Sequence, residues 1–85
     1  MISFEYTITD ENGLHARLAG TLARKAAGYS SAVKIECDGM SENAAELVPV
    51  MSMDVQQGDT VKIIAEGADE EKAAAELQQM FTELF

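Results

Sequence analysis

The spacing of apolar residues changes repeatedly along this chain, from every second residue to every third or fourth and back. Polar and apolar residues alternate in 3–8 and 33–37, which is the pattern of a strand with one buried face, and residues 60–65 also predict a strand. Residues 16–27 and 70–84 instead carry apolar residues at helical spacing. A chain of 85 residues can bury one modest core, so this mixture predicts helices packed on one sheet rather than two lobes with a cleft.

Two shorter elements complete the pattern. Asp38-Gly39 predicts a tight turn with positive φ, and the following residues 40–43 then form the second strand of a hairpin. Residues 46–53 predict a short helix. Pro49 moves the expected start of that helix from residue 46 toward residue 48, because proline is tolerated only in the first turn.

The ends of the longer helices are also marked in the sequence. Gly28 can end the first helix, and Asp69 can cap the last one with its side chain. The predicted order is βαββαβα. We therefore expect an α+β fold, an open-faced sandwich in which three helices cover one face of a four-stranded antiparallel sheet, with residues 1–85 forming a single domain.

Composition excludes several classes of site and partner. With one cysteine, one histidine and no cofactor motif, we expect no disulfide, no metal and no cofactor, and Cys37 alternates with Val33 and Ile35 as a buried residue. The N-terminus has no basic region, and no segment approaches the ~20 apolar residues of a membrane span, so we expect a cytoplasmic protein. A net charge of −9 opposes binding to nucleic acid and to anionic membranes.

The basic residues are concentrated in one segment. Residues 12–35 contain no Asp or Glu and hold four of the six basic residues, which are Arg17, Arg24, Lys25 and Lys34. Such a segment in an acidic chain indicates a surface that meets something negative. The alternative is chance clustering on a solvated helix face.

The one histidine, His15, falls in the basic segment at the predicted start of the first helix, two residues before Arg17. Unpaired helix amides and a guanidinium suit an anion, and a neutral imidazole is a nucleophile near neutral pH. A phosphoryl group on this histidine would meet both conditions. A hydrolase would need a second acid or base, and the chain has neither a G-x-S-x-G motif nor a P-loop. The alternative is a histidine that only caps or packs against the helix.

Four short blocks carry a family resemblance: N-G-L-H-A-R at 12–17, V-M-S-M at 50–53, Q-G-D at 57–59 and A-E-G-A-D-E at 65–70. With them the chain resembles the HPr phosphocarriers of the bacterial phosphoenolpyruvate-dependent sugar phosphotransferase system. The resemblance implies that His15 accepts a phosphoryl group on Nδ1 from phosphorylated enzyme I and passes it to a sugar-specific IIA component. It also implies that Arg17 stabilises the phosphohistidine, and that the chain is a carrier without independent catalytic activity.

Two positions depart from the family pattern. Leu18 stands where proline is usual, and we expect it to tune the helix start while the backbone amides of Ala16, Arg17 and Leu18 still bind the phosphate. Glu46 stands where many Gram-positive members carry a regulatory serine, so that position cannot be phosphorylated here. Either Glu46 mimics phosphoserine weakly, or it is only a solvated acid at a helix start.

The short helix suggests how partners dock. Its apolar residues are Leu47, Val48, Val50, Met51 and Met53, and one short helix can turn only one face inward. We expect Arg24, Leu47, Val48 and Met51 to contact partners, whereas the alternative is a core that encloses all five apolar residues. We expect a monomer. The competing function is an HPr-like regulatory module that binds a partner without transferring phosphate.

Overall fold

A computed structural model describes residues 1–84 of the chain. The elements, in chain order, are β1 (Ile2–Thr7), α1 (Ala16–Ala27), β2 (Ala32–Cys37), β3 (Met40–Asn43), α2 (Leu47–Ser52), β4 (Thr60–Glu66) and α3 (Glu70–Leu84). The four strands form one sheet in the order β1-β4-β2-β3, and every neighbouring pair is antiparallel. The predicted α+β sandwich and its element order are therefore confirmed.

The core lies between the sheet and the helices. Ile63 on β4 stands opposite Phe4 on β1 and Ile35 on β2, so its side chain is central in the inner layer. From α3, the Phe81 ring packs on Phe4 and Tyr6, with ring centroids 5.9 Å and 5.4 Å apart. Burial of a ring such as Phe81 contributes about 1.5–3 kcal/mol, and it holds α3 across β1 and β4.

The hairpin between β2 and β3 has the predicted geometry. Asp38 has φ 51° and Gly39 has φ 81°, so both central residues adopt the positive φ that a tight two-residue turn requires. Val33, Ile35 and Cys37 on β2 are buried, as the alternation predicted. Their neighbours point to the face of the sheet that carries no helix.

The helix ends differ in detail from the sequence expectations. Helix α2 begins at Leu47, so Pro49 lies in its first turn, where the amide that proline lacks has no partner within the helix. Gly28 ends α1 with φ −80° and therefore needs no left-handed conformation.

Asp69 lies at the predicted cap position, where its carbonyl accepts the Ala73 amide at 2.9 Å, but its side chain bonds to another segment. Its carboxylate accepts hydrogen bonds from the Ser30 and Ser31 amides at 2.9 and 2.8 Å and from the Ser31 hydroxyl. These bonds tie the start of α3 to the connection between α1 and β2. Gly67 also packs there, and a Cβ on it would stand 2.7 Å from the Ser31 Cα.

Within residues 1–84, no helix combines the length and the apolar character needed to cross a membrane.

Candidate functional site

The loop before His15 is held by backbone contacts on two sides. Asp10 organises it from within: its side-chain Oδ1 accepts the Asn12 amide at 2.8 Å and its carbonyl accepts the Gly13 amide at 2.9 Å. Gly13 adopts φ +66°, which glycine reaches without strain. From outside, the Val55 carbonyl accepts the Leu14 amide at 3.0 Å. The chain therefore enters α1 in a defined direction.

His15 is the residue that precedes α1. Its backbone is extended (φ −77°, ψ 173°), and its carbonyl accepts the Ala19 amide at 2.9 Å as the first hydrogen bond of the helix. The three amides before Ala19 have no carbonyl partner within the helix. They belong to Ala16, Arg17 and Leu18, the residues expected to bind phosphate, and they give this end of α1 its positive character.

The His15 ring has a carboxylate beside it that the sequence analysis did not predict. Nε2 lies 3.6 Å from Oδ2 of Asp10, and the two side chains are 27% and 29% exposed. Asp10 lies outside the acid-free residues 12–35, so the charge pattern of the sequence does not point to it. In the folded protein an acidic side chain therefore lies beside His15, although residues 12–35 contain no Asp or Glu. The available signal was the Asp10–Gly13 turn, which folds residue 10 back toward residue 15.

The basic segment divides into two parts. Lys25 lies 3.7 Å from Oε1 of Glu76 and 6.0 Å from the centroid of the Tyr29 ring, so it helps join α1 to α3. The Tyr29 hydroxyl donates to the same Glu76 oxygen at 2.6 Å. Burial, and then this hydrogen bond, raise the pKa of Tyr29. Lys34 lies on the helix-free face of the sheet.

Arg17 and Arg24 are exposed on α1. The Arg24 guanidinium extends back along the helix toward its N-terminus, because a Cβ on Gly20 would stand 3.7 Å from Nη1 of Arg24. Arg17 is thus the cation in the first turn of α1, next to His15, whereas Arg24 lies in the last turn and reaches back to Gly20. Arginine offers planar, paired donors to phosphate oxygens.

Comparison with known proteins identifies the family. A family model described as "PTS HPr component phosphorylation site" matches residues 2–83. The chain belongs to the HPr family of phosphotransferase-system phosphocarriers.

The similarity extends over almost the whole chain. Phosphocarrier protein HPr of Borreliella burgdorferi is 41% identical over 80 residues, which cover 94% of this chain and 93% of that protein. A solved histidine-containing phosphocarrier protein from a study of Mycoplasma divergence superposes with a TM-score of 0.93 at 33% identity, covering 96% of this chain and 93% of that one. A solved HPr dimer from Thermoanaerobacter tengcongensis is 38% identical with a TM-score of 0.67, covering 89% and 92%. A monomer stays a prediction for this chain.

Leu18, one of the two departures from the HPr pattern, is part of the core. Its side chain is 5% exposed and belongs to the buried cluster that also contains Leu14 and Leu22. Leucine therefore replaces the rigidity of a first-turn proline with apolar burial, and it keeps a backbone amide at the helix start.

Helix α2 presents an apolar surface to solvent. Leu47, Val48 and Met51 are 42%, 74% and 39% exposed, and we call these three residues the α2 patch. Val50 and Met53 are buried, so the alternative in which the core encloses all five apolar residues is wrong. Because α2 packs on α1, the α2 patch adjoins the helix that begins after His15.

The other polar positions of α2 have simple surroundings. Glu46 precedes the helix, is exposed and makes no side-chain capping hydrogen bond. Ser52 donates its hydroxyl to the Val48 carbonyl at 3.0 Å, a bond within the helix. Glu46 thus places a carboxylate at the edge of the α2 patch.

Among residues 1–84, one group of metal-type ligands does not include His15. Single ligand atoms of Cys37, Asp38 and Asp59 lie within 4.8 Å of one another. Cys37 is buried, and burial, followed by the charges of the two aspartates, raises the pKa of its thiol. A metal ligand must be the thiolate, so this grouping is a poor metal site. Asp59 also accepts the Gln56 amide at 2.9 Å, which gives its carboxylate a structural role.

Proposed function

We propose that this HPr-family chain accepts a phosphoryl group on His15 from phosphorylated enzyme I and passes it to a sugar-specific IIA component. The observation that carries the proposal is the position of His15, a partly exposed imidazole directly before a helix whose first three amides are free. The proposed partners place the exchange in the cytoplasm.

The surroundings of His15 suit a group that brings up to two negative charges. The amides of Ala16, Arg17 and Leu18 offer donors that need no rearrangement, and the Arg17 guanidinium adds a fixed positive charge. A carrier must release the phosphoryl group that it binds. An exposed site that stabilises this group only moderately is therefore more suitable than a closed pocket. A partner can approach the ring because about a quarter of the His15 side chain is exposed (27%).

The surface around the site suits short-lived docking. The α2 patch offers a small apolar area, and Arg24 offers a cation on the adjoining helix. Interfaces of this kind combine an apolar centre with a charged rim, and methionine in the centre adapts to more than one partner. We therefore propose that enzyme I and the IIA component use the same surface in turn.

A phosphorylation assay tests this function. Incubation with phosphoenolpyruvate and the enzyme I of the same organism should add one acid-labile phosphate per chain, measured by intact mass before and after acid treatment. The His15→Ala variant should take up none. The Ser52→Ala variant should be modified like the wild type, because that hydroxyl is bonded within α2. A wild-type protein that stays unmodified with its own enzyme I would sink the proposal.

The exposed Glu46 beside the α2 patch favours one second candidate, a regulatory module that binds a partner without transferring phosphate. In that case the His15→Ala variant should bind the partner as tightly as the wild type, and Glu46→Gln should weaken binding. Titration calorimetry with a partner recovered by crosslinking distinguishes the two functions. Loss of binding in His15→Ala would contradict the second candidate.

A further inference from the structure

The two oxygens of the Asp10 carboxylate have different partners. Oδ1 accepts the Asn12 amide at 2.8 Å, whereas Oδ2 lies 3.6 Å from Nε2 of His15. The hydrogen bond from the Gly13 amide to the Asp10 carbonyl, at 2.9 Å, closes the same turn. The first contact orients the carboxylate, and that orientation directs its second oxygen at one particular ring nitrogen.

The two nitrogens of the His15 ring are therefore in different surroundings. A neutral imidazole carries one proton, and an ionised carboxylate can only accept hydrogen bonds. Asp10 thus favours the form in which Nε2 is protonated. His15 makes no side-chain capping hydrogen bond to the helix, so the lone pair of Nδ1 is not engaged by the α1 amides.

We propose that Asp10 is a positioning residue that keeps the ring proton of His15 on Nε2, so that Nδ1 is the reacting atom in both directions of transfer. The consequence for transfer rests on the proposed function, but the position of the proton in the unmodified protein does not.

The cycle then needs no proton transfer at the carrier. In the forward step the Nδ1 lone pair forms the N–P bond, while the bond between phosphorus and the donor atom of enzyme I breaks and its electron pair stays with that atom. The ring, still protonated on Nε2, becomes a cation that the Asp10 carboxylate stabilises. In the second step the acceptor atom of the IIA component attacks phosphorus. The N–P electron pair returns to Nδ1 and restores the neutral ring with its proton on Nε2.

The position of Asp10 also separates it from the phosphate. Nδ1 and Nε2 lie on different sides of the ring, so the carboxylate meets the nitrogen that does not react. The incoming anion would instead meet the free amides that follow His15. The Asp10 carboxylate thus stabilises the cationic ring, and the free amides at the start of α1 stabilise the phosphoryl group.

A role for Asp10 in the turn alone would be served equally well by asparagine. The Asp10→Asn variant keeps a side-chain oxygen for the Asn12 amide, but it offers His15 a neutral amide group that can donate to Nε2 and so weakens the preference. The Asp10→Ser variant keeps a hydroxyl for the turn and removes the partner of the ring. Glu11→Gln removes one charge from the same loop without changing residue 10, and it is the matched control.

The decisive measurement is the ¹⁵N chemical shifts of the His15 ring in unphosphorylated protein, at a pH where the ring is neutral. Nε2 and Oδ2 lie 3.6 Å apart, beyond ordinary hydrogen-bond length, so Asp10 acts on the ring proton as a neighbouring charge, and such a charge can shift the equilibrium about tenfold. We expect Nε2–H to dominate in the wild type and in Glu11→Gln, and its ratio to Nδ1–H to fall about tenfold in Asp10→Asn. Asp10→Ser should give an intermediate ratio.

Backbone amide spectra establish that the variants keep the loop. An unchanged tautomer ratio in Asp10→Asn and Asp10→Ser, with the loop signals intact, would overturn the inference. This outcome is independent of enzyme I. A wild type that shows the Nε2–H form but takes up no phosphate would instead count against the proposed function, so the two failures are distinguishable.

Discussion

Gly13 lies directly against the backbone of Val55, so closely that a Cβ on residue 13 would stand 2.3 Å from the Val55 carbonyl oxygen. The same oxygen accepts the Leu14 amide at 3.0 Å. This contact joins the loop that precedes His15 to the loop that follows α2. Backbone contacts therefore hold the loop before His15 against the segment that follows the α2 patch.

Replacement of Gly13 by alanine should destabilise the protein strongly. The residue has φ +66°, and the new Cβ would meet a backbone oxygen that cannot move without displacing Leu14. We expect a loss of about 2–4 kcal/mol in the free energy of unfolding, measured by urea denaturation. Gly39→Ala is the control: its φ is +81° but nothing lies within 4 Å of the added Cβ, so it should lose only about 1 kcal/mol. Equal losses in both variants would contradict the close approach.

Removal of the Arg17 guanidinium should slow phosphoryl transfer without unfolding the protein. Arg17 is exposed, so Arg17→Ala should change stability by less than about 0.5 kcal/mol. We expect the rate constant for uptake from enzyme I to fall about tenfold to a hundredfold, or about 1.4–2.7 kcal/mol. Lys34→Ala removes one charge from the helix-free face and should transfer at nearly the wild-type rate. A similar loss in both variants would indicate that only net charge matters.

The α2 patch should affect partner binding and not folding. Val48 is 74% exposed, so Val48→Ser should leave the urea midpoint almost unchanged and raise the KM for the carrier in an enzyme I assay severalfold. Val50, two residues later, is 1% exposed. Val50→Ala should therefore cost about 2 kcal/mol of stability. If Val48→Ser changes stability and leaves KM unaltered, the patch is not a docking surface.

Asp69 should make stability depend on pH in the acid range. Hydrogen bonds from the Ser31 hydroxyl, then from the Ser30 amide, lower the pKa of Asp69 from its ordinary value of 3.8. A lowered pKa means that the folded state binds the proton less readily than the unfolded state. The stabilisation is thus complete above pH 3.8 and is lost as the pH falls through the lower pKa of the folded protein.

Urea midpoints measured from neutral pH down to about pH 2 test this linkage. The Asp69→Asn variant should be less stable than the wild type at neutral pH, and the difference should shrink with acidification. A constant difference across this range would show that the carboxylate charge contributes nothing.

Gly20→Ala should stabilise the protein. Gly20 lies inside α1, where glycine costs about 0.5–1 kcal/mol relative to alanine, and the added Cβ would make an ordinary contact with Arg24 at 3.7 Å. We expect a gain of that size in thermal and urea unfolding. Gly67→Ala is the opposite case, because its Cβ would stand 2.7 Å from the Ser31 Cα. Gly67→Ala should therefore destabilise the protein. Equal changes in stability for Gly20→Ala and Gly67→Ala would contradict the difference in space around the two glycines.

Much of the fold was predictable because its signals are local. Helix α1 and strand β3 occur at the predicted residues 16–27 and 40–43, and Asp38-Gly39 adopts the predicted turn. A repeat of two or of 3.6 residues is carried by neighbours in the chain, so it can be read before the chain folds. The same holds for His15, whose place before α1 follows from the helix start.

The less predictable features are contacts between elements. The sequence favoured Asp69 as a helix cap, whereas its carboxylate bonds to Ser30 and Ser31 from another connection. It left open whether the core encloses all five apolar residues of the α2 segment, and the structure buries only Val50 and Met53. These outcomes depend on how helices and strands are placed against each other, and no short segment contains that information.

The sequence by itself determined the element order, the single histidine and the basic segment around it. The tertiary structure decided that Asp10 faces Nε2 of His15 and that Lys25 pairs with Glu76 on α3. Periodicity and residue type act over a few neighbouring positions, whereas these pairs need a turn closed by Asp10, a strand connection and two packed helices to bring the charges together. The reacting residue can thus be recognised from the local sequence, whereas its electrostatic surroundings depend on the tertiary structure.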